Sequence, residues 1–95
     1  MDRMTDKNDQ TTLAELAEKL GVTVEDLLSH CRKAELVDAR CMVAALLMNR
    51  PCMRQQDVAP ILDISQAAVS KLLTRHLQML RYTNYRLQWE ALQNG

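Results

Sequence analysis

The stretch APILDISQAAVSKLLTRH, residues 59–76, decides the fold because it has the spacing of two helices joined by a tight turn. Ala59 is small enough for the helices to cross closely, Asp63 lies where the turn needs a left-handed residue, and Val69 can lock the second helix onto the first. Asp tolerates the left-handed conformation better than most residues. The spacing therefore predicts a helix-turn-helix.

The second helix of this unit has a small, polar and basic outer face. The helical wheel points Val69, Leu72, Leu73, Leu77 and Leu80 inward and Gln66, Ala67, Ser70, Lys71, Thr74 and Gln78 outward, with Arg75 on the flank. On such a face Gln66 can form two hydrogen bonds with adenine, and Ala67 can pack on a thymine methyl group. Ser70 and Lys71 can reach base edges or phosphates. The pattern predicts DNA binding, and it equally fits a solvated helix of a bundle that binds no nucleic acid.

The same spacing occurs nearer the N-terminus, at Ala17, Gly21 and Leu27. The second helix of this copy opens with Glu25 and Asp26, and these carboxylates would repel DNA phosphates. Charge therefore assigns DNA recognition to the later copy.

Composition indicates one small helical domain. The 95 residues are 47% hydrophobic and 25% charged, with two Pro, two Gly and no Phe. The longest apolar run, residues 41–48, is far shorter than a membrane span and no apolar signal segment precedes it, so we expect a cytoplasmic protein. The net charge is zero, but residues 31–95 hold nine bases against five acids, which hints at a polyanionic partner.

The periodicity predicts an all-α fold, a bundle of five or six helices containing the helix-turn-helix. We expect a disordered N-terminal lead at residues 1–11, the DNA-binding domain at 12–80 and a C-terminal helical extension at 81–95. Within them, the predicted helices run from Thr12 to Gly21, from an N-cap at Thr23 to about Lys33, and over residues 36–49, 53–62, 66–80 and from about Asn84 onward. Pro60 requires either that its helix starts at Asp57 or that the helix is kinked.

Two longer stretches, LAEKLGVTVEDLLSHCRKAELVDARCMVAALLM and QDVAPILDISQAAVSKLLTR, together resemble the C-terminal DNA-binding domain of the bacterial replication initiator DnaA, in the Trp-repressor-like group of helix-turn-helix folds. The likeness covers about residues 12–80. It implies that Arg32 and Lys33 belong to a basic loop lying against the DNA backbone and minor groove. It also implies that Arg40 is the arginine of the central helix, and that residues 66–71 form the front of the recognition helix.

The chain departs from that family at the recognition helix. Where replication initiators carry Arg-Asp-His-Thr-Thr-Val, this chain has ISQAAV and keeps only the buried aliphatic Val69. Its only glycines are Gly21 and Gly95, so no glycine-rich phosphate loop is present. We therefore expect a stand-alone relative, a transcriptional or mobile-element regulator, rather than an initiator.

Other residues give no sign of an enzyme, a metal site or a cofactor. His30 and His76 are far apart in sequence, and Cys31, Cys41 and Cys52 have neither disulfide-framework nor zinc-knuckle spacing. We expect the cysteines to be reduced and mostly buried, and His76 to lie at the edge of the core.

The favoured hypothesis is sequence-specific binding of double-stranded DNA. Its predicted contact residues are Arg32, Lys33, Arg40, Arg54, Ser65, Gln66, Ala67, Ser70, Lys71, Thr74 and Arg75. The alternative is a protein-interaction module on the same fold, without DNA binding. The apolar C-terminal segment, with Tyr82, Tyr85 and Trp89, could pack within the chain or form a homodimer.

Overall fold

The computed structural model describes residues 7–94, with side chains from Thr12 onward, and these residues form helices without any β-strand. The helices are α1 (Lys7–Leu20), α2 (Val24–Leu28), α3 (Ala34–Met48), α4 (Gln55–Leu62), α5 (Gln66–Met79) and α6 (Thr83–Asn94). The predicted all-α class is confirmed. None of these six helices combines the length and the hydrophobicity that a membrane span requires.

The first helix starts earlier than the sequence predicted. Residues 7–11, assigned to the disordered lead, belong to α1, while residues 1–6 lie outside the described part of the chain. Each residue added to an existing helix fixes one backbone unit and gains one hydrogen bond, so a helix anchored by Leu13 and Leu16 can extend through polar residues.

The break between α1 and α2 follows the sequence prediction, but the end of α2 does not. Gly21 has φ +74°, and Thr23 caps α2 by accepting a hydrogen bond from the Asp26 N–H at 3.0 Å. However, α2 ends at Leu28 rather than near Lys33, because Ser29 is extended (φ −77°, ψ 163°).

The central helix is α3, which contains the longest apolar run of the chain. It packs against α1, α2, α4, α5 and α6, and residues 41–44 are completely buried. The other helices therefore surround α3, which carries the core of the domain.

The turn between α4 and α5 has the predicted geometry. Asp63 is left-handed (φ 56°, ψ 46°), Ala59 is buried beside the turn, and Val69 is completely buried. The proposed start of α4 at Asp57 is wrong, because α4 begins at Gln55 and contains Pro60. Proline has no N–H, so α4 lacks one hydrogen bond of its ladder at that position.

The C-terminal segment packs within its own chain. Tyr85 and Leu92 are buried, Trp89 is partly buried, and α6 contacts both α1 and α3. Tyr85 and Trp89 thus pack within the chain, while Tyr82, the third aromatic residue of the segment, is 56% exposed, and the homodimer alternative stays a prediction.

Candidate nucleic-acid interface

The turn after α4 and a side-chain cap together set the start of α5. The Ser65 Oγ accepts a hydrogen bond from the Ala68 N–H at 3.1 Å, which satisfies one of the first N–H groups of the helix. The first turn of α5 contains no acidic residue. The N-terminal end of α5 is therefore capped by a side chain and carries the positive end of the helix dipole with no carboxylate in its first turn.

One face of α5 is exposed along its whole length. The face consists of Gln66, Ala67, Ser70, Lys71, Thr74 and Gln78, which we call the α5 stripe, and all six residues are exposed. From its first to its last residue the stripe extends about 18 Å along the helix axis, at 1.5 Å per residue. The major groove of B-DNA, about 12 Å wide, admits a helix of ordinary diameter. The wheel predicted the outward position of every one of these residues.

The inner face of α5 is less uniform than the wheel predicted. Val69 is completely buried and Leu72, Leu73 and Leu80 are partly buried, but Leu77 is 70% exposed. The assignment of Leu77 to the core is wrong. It lies at the rim of an open groove of about 260 Å³ that is also lined by Met48 and Trp89. At this point α3 ends, so no helix covers Leu77.

Two side chains near the middle of α5, those of Thr74 and Arg75, already bond to other residues of the protein. The Thr74 hydroxyl donates to the Ser70 carbonyl at 3.0 Å, so its proton is used within the helix. The Arg75 Nη2 lies 3.5 Å from the Asp38 Oδ1, with both side chains partly exposed. Such an exposed ion pair contributes at most about 1 kcal/mol, so a phosphate can compete for Arg75.

Three predicted phosphate contacts lie outside α5. Arg32 and Lys33 are exposed in the α2–α3 loop, residues 29–33, and Lys33 is the N-cap of α3. Arg54 is exposed at the start of α4, where its backbone N–H donates to the Asp57 carboxylate at 3.0 Å. Asp38 connects α3 to α5 through Arg75, so the loop and the α5 stripe belong to one packed unit.

Arg40, also predicted to contact DNA, occupies a different environment. Its side chain is 8% exposed. It donates four hydrogen bonds, to the carbonyls of Asp26, Leu27 and Cys31 and to the hydroxyl of Ser29. A guanidinium has five N–H groups, so nearly all of its donors are used inside the protein. This placement argues against direct DNA contact by Arg40, and we leave it out of the candidate interface.

His76 makes contacts that the sequence did not predict. Rather than lying at the edge of the core, the side chain is 5% exposed. Its Nδ1 is 2.8 Å from the Tyr85 hydroxyl, and its ring meets the Trp89 ring edge-on at 4.4 Å. Burial lowers the pKa of His76 below its ordinary value of 6.5. His76 thus joins α5 to α6; the aromatic cluster of the tail was the only sequence signal for such a contact.

Metal-binding clusters are not found in the part of the chain that the structure describes. No group of three or more His, Cys, Asp or Glu there could hold a metal ion. The three cysteines are free, and only Cys41 is buried, so the expectation of mostly buried cysteines is wrong. Burial raises the pKa of Cys41 to about 11, which keeps it as an unreactive thiol.

Comparison with known proteins adds no relative to these observations. No family model matches the chain, and no curated protein or solved structure matches it either. The resemblance to the initiator domain therefore stays a prediction.

Proposed function

We propose that this protein binds double-stranded DNA sequence-specifically, with α4 and α5 acting as a helix-turn-helix that places α5 in the major groove. The observation that carries the proposal is the α5 stripe. Its side chains are exposed along the helix, and residues 66–79 include no Asp or Glu that would repel phosphates. Small and polar side chains at the front of a helix allow it to approach base edges closely.

The residues of the interface fall into two roles. Gln66, Ala67 and Ser70 lie at the front of the α5 stripe, where they can contact base edges and determine sequence preference. The cations nearby supply phosphate contacts, which contribute affinity without sequence information. These cations are Lys71, Arg75, Arg32, Lys33 and Arg54. The Ser65 hydroxyl can donate to a further phosphate, whereas the Thr74 hydroxyl can do so only by giving up its bond to the Ser70 carbonyl.

The biological role that fits this activity is regulation of transcription or of a mobile element, in the cytoplasm and without a cofactor. We assign no catalytic residue, because the interface has no nucleophile paired with a base. The geometry of the α4–α5 turn supports a DNA-binding helix-turn-helix rather than a helical bundle that binds no nucleic acid. Asp63 is left-handed and Ala59 and Val69 are both buried, which is the spacing that motivated the helix-turn-helix assignment.

The test begins with selection of a preferred duplex from a random pool, followed by fluorescence anisotropy at low and moderate salt. Lys71→Glu should weaken binding to every duplex and reduce the salt slope by about 1, because it removes a phosphate contact. Gln66→Ala should mainly relax sequence preference, costing about 1–3 kcal/mol on the selected duplex. Lys19→Glu, on the exposed side of α1, is the matched control and should bind like the wild type.

Equal binding by the wild type, Lys71→Glu and Gln66→Ala would contradict the assignment of the α5 stripe. Absence of binding by the wild type even at low salt would contradict DNA binding itself. Circular dichroism of each variant establishes that α5 is still helical, so that a loss of binding reports on the interface.

A second candidate function, protein binding, is favoured by the groove at Leu77, Met48 and Trp89. Leu77 is 70% exposed there, and a second copy of the chain or another protein could cover it. Sedimentation of the wild type and Leu77→Glu distinguishes these cases: a dimer lost in the variant supports self-association, while a monomer in both excludes a homodimer through the groove. Leu77→Glu should leave binding to the selected duplex intact unless dimerisation contributes to it.

A further inference from the structure

The side chain of Arg40 reaches from α3 to the C-terminal end of α2. Its Nε donates to the Leu27 carbonyl at 3.2 Å, and its Nη2 donates to the Asp26 carbonyl at 3.2 Å. The last carbonyls of a helix have no partner within the helix, and the negative end of the helix dipole favours a cation. Arg40 therefore satisfies the end of α2 from a distant position in the sequence.

The same guanidinium also holds the α2–α3 loop. Its Nη1 donates to the Cys31 carbonyl at 2.8 Å and its Nη2 donates to the Ser29 hydroxyl at 3.0 Å. Ser29 in turn donates to the Asp26 carbonyl at 2.8 Å and accepts from the Cys31 N–H at 3.4 Å. The backbone is thus tied on both sides of His30. A lysine, with one terminal nitrogen, could not span these acceptors as the planar guanidinium does.

The two cations of the loop, Arg32 and Lys33, come immediately after this anchored backbone in the sequence. Arg32 is next to Cys31, and Lys33 is the N-cap of α3, so the chain is held before and after the two residues. Asp38 lies five residues beyond Lys33, about 7.5 Å further along the α3 axis, and pairs with Arg75 on α5. The loop cations consequently have a defined place relative to the α5 stripe.

We propose that Arg40 is a positioning residue, which fixes the α2–α3 loop so that Arg32 and Lys33 contact phosphates of the same duplex that α5 binds. This inference depends on the proposed DNA-binding function. Ordering a flexible loop on binding costs conformational entropy. A loop that is already ordered in the free protein avoids this cost, so its side-chain contacts contribute more of their free energy to affinity.

The experiment is a double-mutant cycle measured on the selected duplex at fixed salt. The four proteins are the wild type, Arg40→Lys, the loop variant with Arg32→Ala and Lys33→Ala, and the combination. Arg40→Lys keeps the buried positive charge but loses the planar guanidinium that donates to several acceptors at once. It should weaken binding roughly three- to tenfold in the wild-type background. In the loop-variant background it should have almost no effect, because the cations that Arg40 positions are already gone.

Hydrogen exchange supplies a readout that does not depend on DNA. Arg40→Lys should increase amide exchange at Cys31 and its loop neighbours while the amides of α5 remain protected. Arg86→Lys, an exposed substitution of the same kind on α6, should change neither exchange nor affinity. If Arg40→Lys does not fold, Ser29→Ala replaces it in the same cycle, since it removes one acceptor and leaves the three carbonyl bonds.

The outcomes separate this inference from the function on which it depends. Equal losses of affinity in both backgrounds, or no loss in either, would overturn the positioning role while DNA binding stands. Absence of DNA binding by the wild type would overturn the proposed function and the positioning role with it. Loss of α5 protection in Arg40→Lys would show that Arg40 supports the whole fold rather than the loop, and would also overturn the inference.

Discussion

His76 is a titratable residue in the contact between α5 and α6. The imidazole is buried against the Tyr85 hydroxyl and the Trp89 ring, and its lowered pKa means that it is neutral at pH 7. Burial also raises the pKa of Tyr85, so the phenol keeps its proton and can donate it to Nδ1 of the neutral imidazole. A proton added to His76 would occupy Nδ1 and remove the acceptor of that hydrogen bond.

Stability should therefore depend on pH through His76. In the unfolded chain His76 titrates near pH 6.5, and in the folded chain it titrates lower, so below about pH 6.5 the unfolded state binds more protons. The free energy of unfolding should be constant above that pH and fall below it, by at most about 1.4 kcal/mol per pH unit. Urea denaturation between about pH 7.5 and pH 5.5 measures this slope.

The variant His76→Gln should lose most of this pH dependence, and His30→Gln, at the exposed histidine, should retain it. A wild-type stability that stays flat across the range would contradict the burial of a neutral His76.

The environment of His76 also shows which contacts of a single residue cannot be predicted from the sequence. The sequence predicted His76 at the edge of the core, but it could not identify Tyr85 and Trp89 as its partners, because they belong to another helix.

At the scale of the helices, boundaries that depend on local signals are predicted better than boundaries that depend on contacts with other helices. The N-caps of α2 and α5 are side chains within three residues of the N–H groups that donate to them, and Gly21 and Asp63 are left-handed where the spacing required it. The end of α2 depends on Ser29, whose hydroxyl and N–H both donate to the Asp26 carbonyl, and on Arg40, which belongs to α3. A serine does not mark a helix end as clearly as glycine or proline does, and the contact from Arg40 has no local signal, so the sequence could not place this end.

The cap of α5 gives a prediction at this scale. Ser65→Ala removes the hydrogen bond to the Ala68 N–H and should lower the free energy of unfolding by about 1 kcal/mol. Ser70→Ala, at an exposed position inside the same helix, should leave stability unchanged or raise it slightly, since Ala is the better helix former. Urea denaturation of both variants makes the comparison. Equal stabilities would indicate that solvent replaces the Ser65 cap without cost.

At the scale of the whole molecule, α3 connects the sites and α6 closes the core. The outward position of the α5 stripe follows from α5 alone, so the sequence predicted it. The relation of the stripe to Arg32 and Lys33 depends on α3, which contacts both α2 and α5, and no local pattern encodes that relation. Arg40 is buried, whereas the other predicted contact residues are exposed. The sequence could not predict this difference either, because burial depends on how the helices assemble.

The packing of α6 predicts that the described helices unfold as one unit. Trp89 is partly buried against His76, whereas Leu87, two residues earlier in the same helix, is 56% exposed. Trp89→Ala should cost about 2–3 kcal/mol through lost burial, and Leu87→Ala should cost less than about 0.5 kcal/mol. In native-state hydrogen exchange, Trp89→Ala should weaken protection in α5 as much as in α6.

Loss of protection confined to α6 would contradict this cooperativity and would make α6 a separately opening helix. The distinction decides how protein binding by the C-terminal segment can be tested. If α6 is part of the common core, deletion of residues 83–95 removes Tyr85 and Leu92 from that core and destabilises the α5 stripe as well. Partner binding and DNA binding would then fail together, so only exposed substitutions such as Leu87→Arg and Leu77→Glu can separate the two functions.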